Sequence, residues 1–227
     1  MDTAPDSPQP VAVAILAKAP VPGTVKTRLV LMLGVHGSAT LQSRFITRTV
    51  ELAAEAAVGP IHLWTSSDER HPLFKELGER HPIAFARQPV GDLGKRMHTA
   101  AVQANGPVLI VGTDCPVLTA AHLRDAADAL RNGSDVVVIP ADDGGYVLIG
   151  MRQPRPELFT DMPWGTDGVM LETRRRLTHL DLNWREPAHL WDVDRPTDVR
   201  RMRQEGMRDL LADIDREPVP LTLRISS

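Results

Sequence analysis

Short runs of apolar residues alternate along the chain with stretches in which apolar and polar residues mix at helical spacing. The apolar runs predict strands, and the first, fourth and fifth runs are almost entirely apolar, as expected for strands that helices cover on both faces. This alternation predicts a layered α/β fold. The predicted strands are Val11–Ala17, Ile61–Thr65, Ile83–Arg87, Pro107–Gly112, Asp135–Pro140 and Tyr146–Met151.

Amphipathic helices are predicted between these strands. Over residues 120–131, apolar positions recur at i, i+3, i+4 and i+7, between Thr119 as an N-cap and Asn132 as a stop signal. Leu41 and Phe45 begin the apolar face of a longer helix predicted over 38–57. The remaining helices are predicted over 70–79, 92–104, 167–178 and 196–207.

One junction between strands is too short for a crossover helix. In "VVVIPADDGGYVLIG", two strands are joined only through Asp142-Asp143-Gly144-Gly145. A link of this length makes a hairpin or a tight corner, so one of the two strands should run antiparallel. The sheet is therefore predicted to be mixed rather than purely parallel.

Composition narrows the possible classes of protein. The chain has 227 residues, of which 42% are apolar and 24% charged, with a net charge of −3. These values indicate a globular domain with a substantial core, and they argue against general binding to nucleic acid or anionic membranes. The single Cys115 excludes an internal disulfide framework or a multi-cysteine zinc cluster, and it is expected to be a small buried residue rather than a nucleophile.

The termini are interpreted as extensions of one domain in a cytoplasmic protein. No apolar stretch approaches the roughly 20 residues needed to cross a bilayer, and the opening "MDTAPDSPQP" lacks the regions of a secretion signal. We expect a flexible tail over residues 1–10, a single domain over 11–208 and a C-terminal extension over 209–227. The oligomeric state is left open.

Polar and charged residues gather where the predicted strands end. In "AKAPVPGTVKTRL", which follows the first strand, three cations surround a turn. Carboxylates follow the fourth and fifth strands, and "LWDVDRPTD" supplies more of them late in the chain. Ligands of open α/β sheets bind at these carboxyl ends. The residues concerned are Lys18, Lys26, Thr27, Arg28, Asp114, Asp142, Asp143, Asp192, Asp194 and Asp198.

These acids and bases together predict a site for a metal and phosphates. A charge on Asp114, at the end of an apolar strand, is costly unless it is paired or binds a metal. In an extended segment, Asp192 and Asp194 should point to the same side, and Mg²⁺ or Mn²⁺ prefers such oxygen ligands together with phosphate oxygens. Lys18, Lys26 and Arg28 would then hold the charge of a di- or triphosphate.

Ordinary structural roles would also explain parts of this set. The cationic loop could simply be solvated, and Asp192 and Asp194 could be turn residues before the last helix. Asp142-Asp143-Gly-Gly is itself a good turn sequence. Asp198 is expected to cap the last helix or face water, and Trp164 could be a core aromatic or a lid over a ligand.

Several well-known motifs are absent from the sequence. "GTVKT" lacks the first glycine of a phosphate-binding G-x-x-x-x-G-K-[ST] loop, and no G-x-G-x-x-G follows the first strand. In "DVDRPTD", Thr197 and Arg203 stand where a calcium loop needs Gly and Glu. The chain also lacks H-E-x-x-H and G-x-S-x-G.

Six segments, taken together and in order, resemble those of a bacterial protein family. They are "AKAPVPGTVKTRL", "QPVGDLGKRM", "VGTDCPVLTAAHL", "DDGGYVLIG", "PWGTDGV" and "LWDVDRPTDV". Over about residues 11–205, the chain is similar to the DUF2064 group of glycosyltransferase-like or "transferase 1" proteins. This group lies in the nucleotide-diphospho-sugar transferase (GT-A) superfamily and is related to the 2-phospholactate and phosphoenolpyruvate guanylyltransferases. The resemblance implies one three-layer αβα domain with a mixed, mostly parallel sheet of about seven strands.

The resemblance also implies where substrates bind. The first loop would lie along the nucleotide phosphates, with Mg²⁺ or Mn²⁺ on Asp114, Asp192 and Asp194, and Asp143 and Asp167 would lie on the acceptor side. The implied catalytic residues are Lys18, Lys26, Arg28 and Asp114. The implied nucleotide-binding residues are Lys18, Gly23, Lys26, Thr27, Arg28, Asp92, Lys95 and Arg96. The implied acceptor-binding residues are Asp143, Gly144, Gly145, Tyr146, Trp164, Thr166 and Asp167.

Three functions are compatible with these residues. The leading hypothesis is metal-dependent nucleotidyl transfer from a nucleoside triphosphate to a small phosphorylated or acidic acceptor, catalysed by positioning and electrostatics without a protein nucleophile. The first alternative is glycosyl transfer from a nucleotide-diphospho-sugar, in which Asp143 or Asp167 could activate an acceptor hydroxyl. The second alternative is a nucleotide-binding regulator without turnover, which would not need a second carboxylate cluster.

Overall fold

A computed structural model describes residues 9–214 of the protein. Seven strands form one sheet in the order β3-β2-β1-β4-β6-β5-β7. Strand β6 runs antiparallel to its two neighbours, and the other pairings are parallel. The strands are β1 (Ala12–Lys18), β2 (Ile61–Ser66), β3 (Ile83–Arg87), β4 (Val108–Val111), β5 (Val136–Pro140), β6 (Tyr146–Met151) and β7 (Trp184–Arg185). The predicted mixed sheet and its antiparallel hairpin strand are therefore confirmed.

Helices cover both faces of the sheet. Side chains of α1, α2 and α4 pack against one face, and side chains of α3 and α5 pack against the other. Alternate residues of β1 face the two layers, as period-2 geometry requires, with Val13 and Ile15 on one side and Ala12 and Ala14 on the other. The helices are α1 (Val30–Ala56), α2 (Pro72–Arg80), α3 (Leu93–Gln103), α4 (Ala120–Arg131), α5 (Val169–His179), α6 (Pro196–Gln204) and α7 (Arg208–Leu211).

A third apolar cluster lies beside the sheet, where the end of the described chain packs on α1. Leu29 and Phe45 contribute from the first part of the chain, and Val193 and Met202 from the last part. Ile214 packs so close to Gly37 that an added Cβ would lie 2.8 Å from its side chain. The cluster fixes the segment 190–194, which carries two of the predicted metal ligands, against the start of α1.

Helix termini follow the local signals of the sequence. Thr119 is the N-cap of α4 and accepts a hydrogen bond from the His122 amide, as predicted, while the His122 ring accepts from the Thr119 amide. Asp198 caps α6 by accepting hydrogen bonds from the amides of Asp194 (3.0 Å) and Arg195 (2.7 Å). The expected capping role of Asp198 is therefore confirmed.

Two features differ from the sequence prediction. Helix α1 begins at Val30 rather than at residue 38, and it contains Gly34 with φ 71° and ψ 170°, which kinks the first turns away from the regular helix. Strand β7 has only two residues, Trp184 and Arg185, and pairs with β5 at the edge of the sheet. Its short length leaves no periodicity that a sequence pattern could detect. Within residues 9–214, no helix has the length and apolar character to cross a membrane.

Close packing in the centre of the sheet predicts a strict size limit at Gly150 of β6. A Cβ there would lie 2.6 Å from Leu109 and 2.7 Å from Val137. We expect Gly150→Ala to lower the free energy of unfolding by about 1–3 kcal/mol, because the packed side chains of Leu109 and Val137 must shift to make room. Urea unfolding of this variant provides the measurement.

Gly106→Ala is the matched control, because a Cβ at Gly106 meets no atom within 4 Å. Equal stability of the two variants would contradict the packing described for β6.

Candidate functional site

A cleft of about 680 Å³ opens at the carboxyl ends of β1 and β4. Strand β6, which runs the other way, begins at the same edge with Tyr146. Predicted site residues from distant parts of the chain line this one cavity: Lys18, Lys26, Thr27, Arg28, Arg96, Asp114, Asp143, Gly145, Tyr146, Trp164, Thr166, Asp192 and Asp194. The predicted residues Gly23, Asp92, Lys95, Gly144 and Asp167 lie outside the lining.

The loop after β1 is held in shape by its own backbone. Gly23 has φ 78°, which L residues rarely adopt, and the Thr24 amide donates to the Val21 carbonyl at 3.1 Å. Lys18 donates from its ammonium to the Thr24 carbonyl at 2.6 Å, and its side chain remains exposed. Lys26 adopts φ 47° and ψ 40° and starts a short 3-10 turn, Thr27–Leu29. The loop is thus a preformed bend around the mouth of the cleft.

Lys26 is buried rather than exposed to the cleft. Its side chain is 4% exposed, and its Nζ lies 2.8 Å from Oδ1 of Asp114. The same ammonium donates to the Val193 carbonyl at 2.6 Å and lies 5.4 Å from the centre of the Phe45 ring. These three partners compensate the desolvation of the charge.

Asp114 is oriented by a short chain of polar side chains. Its Oδ1 accepts a hydrogen bond from the Thr113 hydroxyl at 3.3 Å, and Gln42 donates to the Thr113 hydroxyl at 3.2 Å. Both Gln42 and Thr113 are about 5% exposed. The sequence analysis missed them, although Gln42 is a polar residue on the apolar face of α1, three positions before the fully buried Phe45. The Asp114 side chain itself remains 46% exposed.

Asp192 is a partly buried carboxylate of the cleft with a raised pKa. Burial, followed by the charges of Asp143 and Asp114, raises its pKa from 3.8 to about 6, and the Lys26 ammonium opposes this rise only partly. Val193, between the two predicted ligands, is fully buried and its amide donates to the Asp114 carbonyl at 2.9 Å. This hydrogen bond joins the two acidic segments.

Asp194 also lines the cleft, as the alternation in "DVD" predicted. Its carboxylate forms an ion pair with the guanidinium of Arg28. Two of the four cations that line the cleft, Lys26 and Arg28, therefore have carboxylate partners. Among residues 9–214, no ion pair links Lys18 or Arg96 to a carboxylate, and the Nε of Arg96 donates to the Gly91 carbonyl at 3.2 Å. Lys18 and Arg96 are therefore the lining cations that remain available to an anionic ligand.

The segment that contains Arg96 begins a helix. Asp92 is the N-cap of α3 and accepts a hydrogen bond from the Lys95 amide at 2.8 Å. This role accounts for Asp92 without a ligand. Lys95 packs its side chain against Gly91, where a Cβ would lie 2.7 Å from it.

The predicted acceptor side contains an aromatic pair. The rings of Tyr146 and Trp164 meet edge to face with centroids 6.3 Å apart, and both residues line the cleft. Burial raises the pKa of Tyr146, whose hydroxyl lies 3.7 Å from the Met97 sulfur. Within the described part of the chain, the buried indole nitrogen of Trp164 has no hydrogen-bond partner. Trp164 is thus part of the wall of the cleft.

The turn before β6 fixes the other predicted acceptor residues. The Gly145 amide donates to Oδ1 of Asp143 at 2.8 Å. Gly144 has φ 88°, and a Cβ there would lie 2.2 Å from the Asp167 carbonyl. Thr166 donates from its hydroxyl to the Pro163 carbonyl at 2.8 Å and lines the cleft. The turn and the loop 160–168 are consequently packed against each other.

Two polar residues in or near the cleft are accounted for by structural contacts or by burial. Asp142 lies between His189 (2.9 Å) and Arg201 (2.7 Å), which lower its pKa, and it is not part of the lining. Burial raises the pKa of Cys115 to about 12, which disfavours a thiolate near neutral pH. The expectation that Cys115 is a small buried residue is confirmed.

Asp114 and Asp192 fit a divalent cation by their chemistry. They are oxygen donors that line the same cleft, and the charge of Asp114 contributes to the raised pKa of Asp192. Within residues 9–214, however, no three His, Cys, Asp or Glu side chains converge on one preformed metal position. A cation held there would need ligands besides these two side chains.

Comparison with known protein families identifies the family of this chain. The family described as "Uncharacterized protein conserved in bacteria (DUF2064)" matches residues 49–166, about half of the chain. The chain belongs to the DUF2064 family. No curated protein matches the sequence.

Solved structures show the same fold as this DUF2064 protein. A candidate nucleotide-diphospho-sugar transferase from Desulfovibrio desulfuricans G20 is 26% identical, with a TM-score of 0.76 over 87% of this chain and 90% of that one. A CMP:2-keto-3-deoxy-manno-octonic acid synthetase complexed with CTP is 11% identical, with a TM-score of 0.55 over 88% of this chain and 100% of that one.

A glycosyltransferase also has this fold. The glucosyl-3-phosphoglycerate synthase of Mycobacterium tuberculosis, in complex with Mn²⁺ and UDP, is 12% identical, with a TM-score of 0.51 over 93% of this chain and 81% of that one. The fold of this DUF2064 protein is thus that of nucleotidyltransferases and glycosyltransferases, as the sequence resemblance implied.

The raised pKa of Asp192 predicts a pH-dependent effect of its replacement. Because the folded state holds the proton more tightly than the unfolded state, ionisation of Asp192 destabilises the fold above about pH 6 and has no such effect below about pH 4. Asp192→Asn should therefore raise the free energy of unfolding by about 1–2 kcal/mol at pH 7.5. At pH 4 the difference from wild type should disappear.

Urea unfolding of both proteins at the two pH values, without added metal, measures this difference. A constant difference across the pH range would show that Asp192 is not the group that titrates.

Proposed function

We propose that this DUF2064 protein is a metal-dependent transferase that uses a nucleotide as its donor. The observation that carries the proposal is the convergence of Asp114 and Asp192 with Lys18 and Arg96 in one cleft at the carboxyl ends of the strands. Two carboxylates next to unpaired cations suit a ligand that is itself anionic and brings a divalent cation with it. A nucleotide bearing several phosphates has this chemistry.

Asp114 and Asp192 would hold Mg²⁺ or Mn²⁺, and Asp194 would join them if Arg28 turned to a phosphate. When bound, the metal supplies positive charge that neutralises phosphate oxygens. Lys18 and Arg96 would contact the phosphates directly and orient them, and Lys26 would fix Asp114 in place. The chain's contribution is then positioning and electrostatic stabilisation, which is sufficient for phosphoryl chemistry without a covalent intermediate.

Nucleotidyl transfer is the reaction we favour. An acceptor oxygen would attack the α-phosphorus of a nucleoside triphosphate, and pyrophosphate would leave toward the cationic loop. Lys18, with Arg28 once it is released from Asp194, would stabilise the charge that develops on this leaving group. An acceptor that carries an ionised phosphate or carboxylate would need no strong base.

Glycosyl transfer from a nucleotide-diphospho-sugar is the second candidate, and Asp143 is the observation that favours it. Its carboxylate lines the cleft beside Tyr146 and is near enough to raise the pKa of Asp192. An acid in this place could accept a proton from an acceptor hydroxyl. The related fold of the M. tuberculosis glucosyl-3-phosphoglycerate synthase, solved with Mn²⁺ and UDP, is compatible with this reaction.

A ligand panel distinguishes the two reactions. Thermal shifts would be measured with nucleoside triphosphates and nucleotide-diphospho-sugars, each with and without Mn²⁺. We expect triphosphates to stabilise the protein in a metal-dependent manner, because the unpaired cations and the carboxylate pair then act together. Metal-dependent stabilisation by nucleotide-sugars alone would favour glycosyl transfer, and binding without product from any acceptor mixture would indicate a regulator.

Replacement of Asp114 tests the metal site itself. Asp114→Asn should abolish the metal-dependent part of nucleotide binding, since an amide is a poor ligand for Mg²⁺. In the presence of metal, the variant should bind nucleotide about tenfold more weakly than wild type. Isothermal titration calorimetry with and without Mn²⁺ gives this difference. Asp125→Asn, at an exposed position of α4, is the matched control and should bind like wild type. Equal metal dependence in Asp114→Asn and wild type would remove Asp114 from the site.

A further inference from the structure

The charge balance around Asp114 points to a regulatory role for Lys26. Of the cations that line the cleft, Lys26 is the one whose side chain is almost completely buried, at 4% exposure. A buried ammonium cannot move into solvent without losing its interactions with Asp114, the Val193 carbonyl and the Phe45 ring. Lys26 is therefore a fixed cation, unlike the exposed Lys18.

Lys26 occupies one side of Asp114 while the other side faces the cleft. The ammonium contacts Oδ1, which also accepts the hydrogen bond from Thr113, whereas 46% of the Asp114 side chain is exposed. The ammonium also donates to the carbonyl of Val193, the residue directly after Asp192. One fixed positive charge thus acts on both carboxylates that would hold the metal.

We propose that Lys26 is a built-in counter-ion that weakens divalent metal binding by the free protein. A divalent metal ion that approaches Asp114 and Asp192 is repelled by the Lys26 ammonium, which already compensates part of the negative charge of these carboxylates. Tight metal binding then requires further anionic ligands, which the phosphates of a nucleotide supply. We therefore expect the metal ion to enter the cleft together with the nucleotide rather than before it. This inference rests on the proposed function, because it takes Asp114 and Asp192 as metal ligands.

The absence of a preformed metal position agrees with this role. Within the part of the chain that the structure describes, no three acidic, histidine or cysteine side chains converge on one point, and Asp194 is engaged with Arg28. The acidic pair is therefore both short of ligands and partly neutralised in the nucleotide-free protein. Both features act in the same direction on metal affinity.

Mn²⁺ titrations of the nucleotide-free protein test the inference, with electron paramagnetic resonance reporting the unbound ion. We expect weak binding by wild type and about tenfold tighter binding by Lys26→Met, because the variant lacks the positive charge that repels the metal ion. Lys75→Met removes the same charge at an exposed site on α2 and should leave the affinity unchanged. The double variant Lys26→Met/Asp114→Asn should bind as weakly as wild type.

Two further measurements keep the test valid if Lys26→Met does not fold. Lys26→Gln is neutral, has a similar length and retains a hydrogen-bond donor for the Val193 carbonyl, so it should also bind Mn²⁺ more tightly. In wild type, the NMR signal of the hydrogen-bonded Lys26 ammonium should shift when Mg²⁺ is added with nucleotide. An unchanged signal, or equal Mn²⁺ affinity in Lys26→Gln and wild type, would overturn the inference.

The failure of this inference is distinguishable from the failure of the proposed function. If Mn²⁺ strengthens nucleotide binding by wild type while the Lys26 variants bind free Mn²⁺ no better, then Lys26 is only a structural tie and the transferase proposal stands. If Mn²⁺ binds none of the variants, with or without any nucleotide, both proposals are wrong.

Discussion

The cleft is held together by one buried ammonium. Lys26 Nζ bonds to the Val193 carbonyl, 167 positions away in the chain, and to the Asp114 carboxylate. The Val193 amide in turn donates to the Asp114 carbonyl, which closes a small network around the two acidic segments. Three loops that enter the cleft from different directions are thereby fixed to each other, and Phe45 and the apolar cluster beside α1 exclude water from the point where they meet. The interactions of the ammonium are strengthened because the Lys26 side chain is shielded from solvent.

The burial of this charge also decides which cations remain for a ligand. The pattern "AKAPVPGTVKTRL" shows three equivalent positive residues, but the structure gives each of them a different environment. Lys26 is buried against Asp114, Arg28 is paired with Asp194, and Lys18 is exposed and bonded to a backbone carbonyl. The lining cations without a carboxylate partner are therefore Lys18, at the end of β1, and Arg96, on α3.

The sheet and the grouping of the acidic residues could be predicted from the sequence, but the side chains that contact these acids could not. Continuous apolar runs identified β1, β4 and β5, and the four-residue junction before Tyr146 identified the antiparallel strand, because both signals are local. The rule that parallel strands end at the same edge placed Asp114 at the cleft, and the alternation in "DVD" together with metal chemistry grouped Asp192 with it. The burial of Lys26 depends on Phe45 and Val193, which are distant in sequence, so no local pattern could reveal it. The role of Gln42 depends in the same way on its contact with Thr113.

The reversed direction of β6 has a consequence for how specificity could diversify. A parallel strand ends at the cleft and is followed there by a loop that tolerates insertions. Strand β6 instead begins at the cleft, directly after a four-residue turn. Gly144 in this turn lies against the backbone of Asp167, so position 144 has no room for a side chain. This part of the cleft is therefore closely packed. For the transferase proposed above, new acceptor preferences would arise more readily in the loop 160–168, whose exposed residues Gly165 and Thr166 border the cavity.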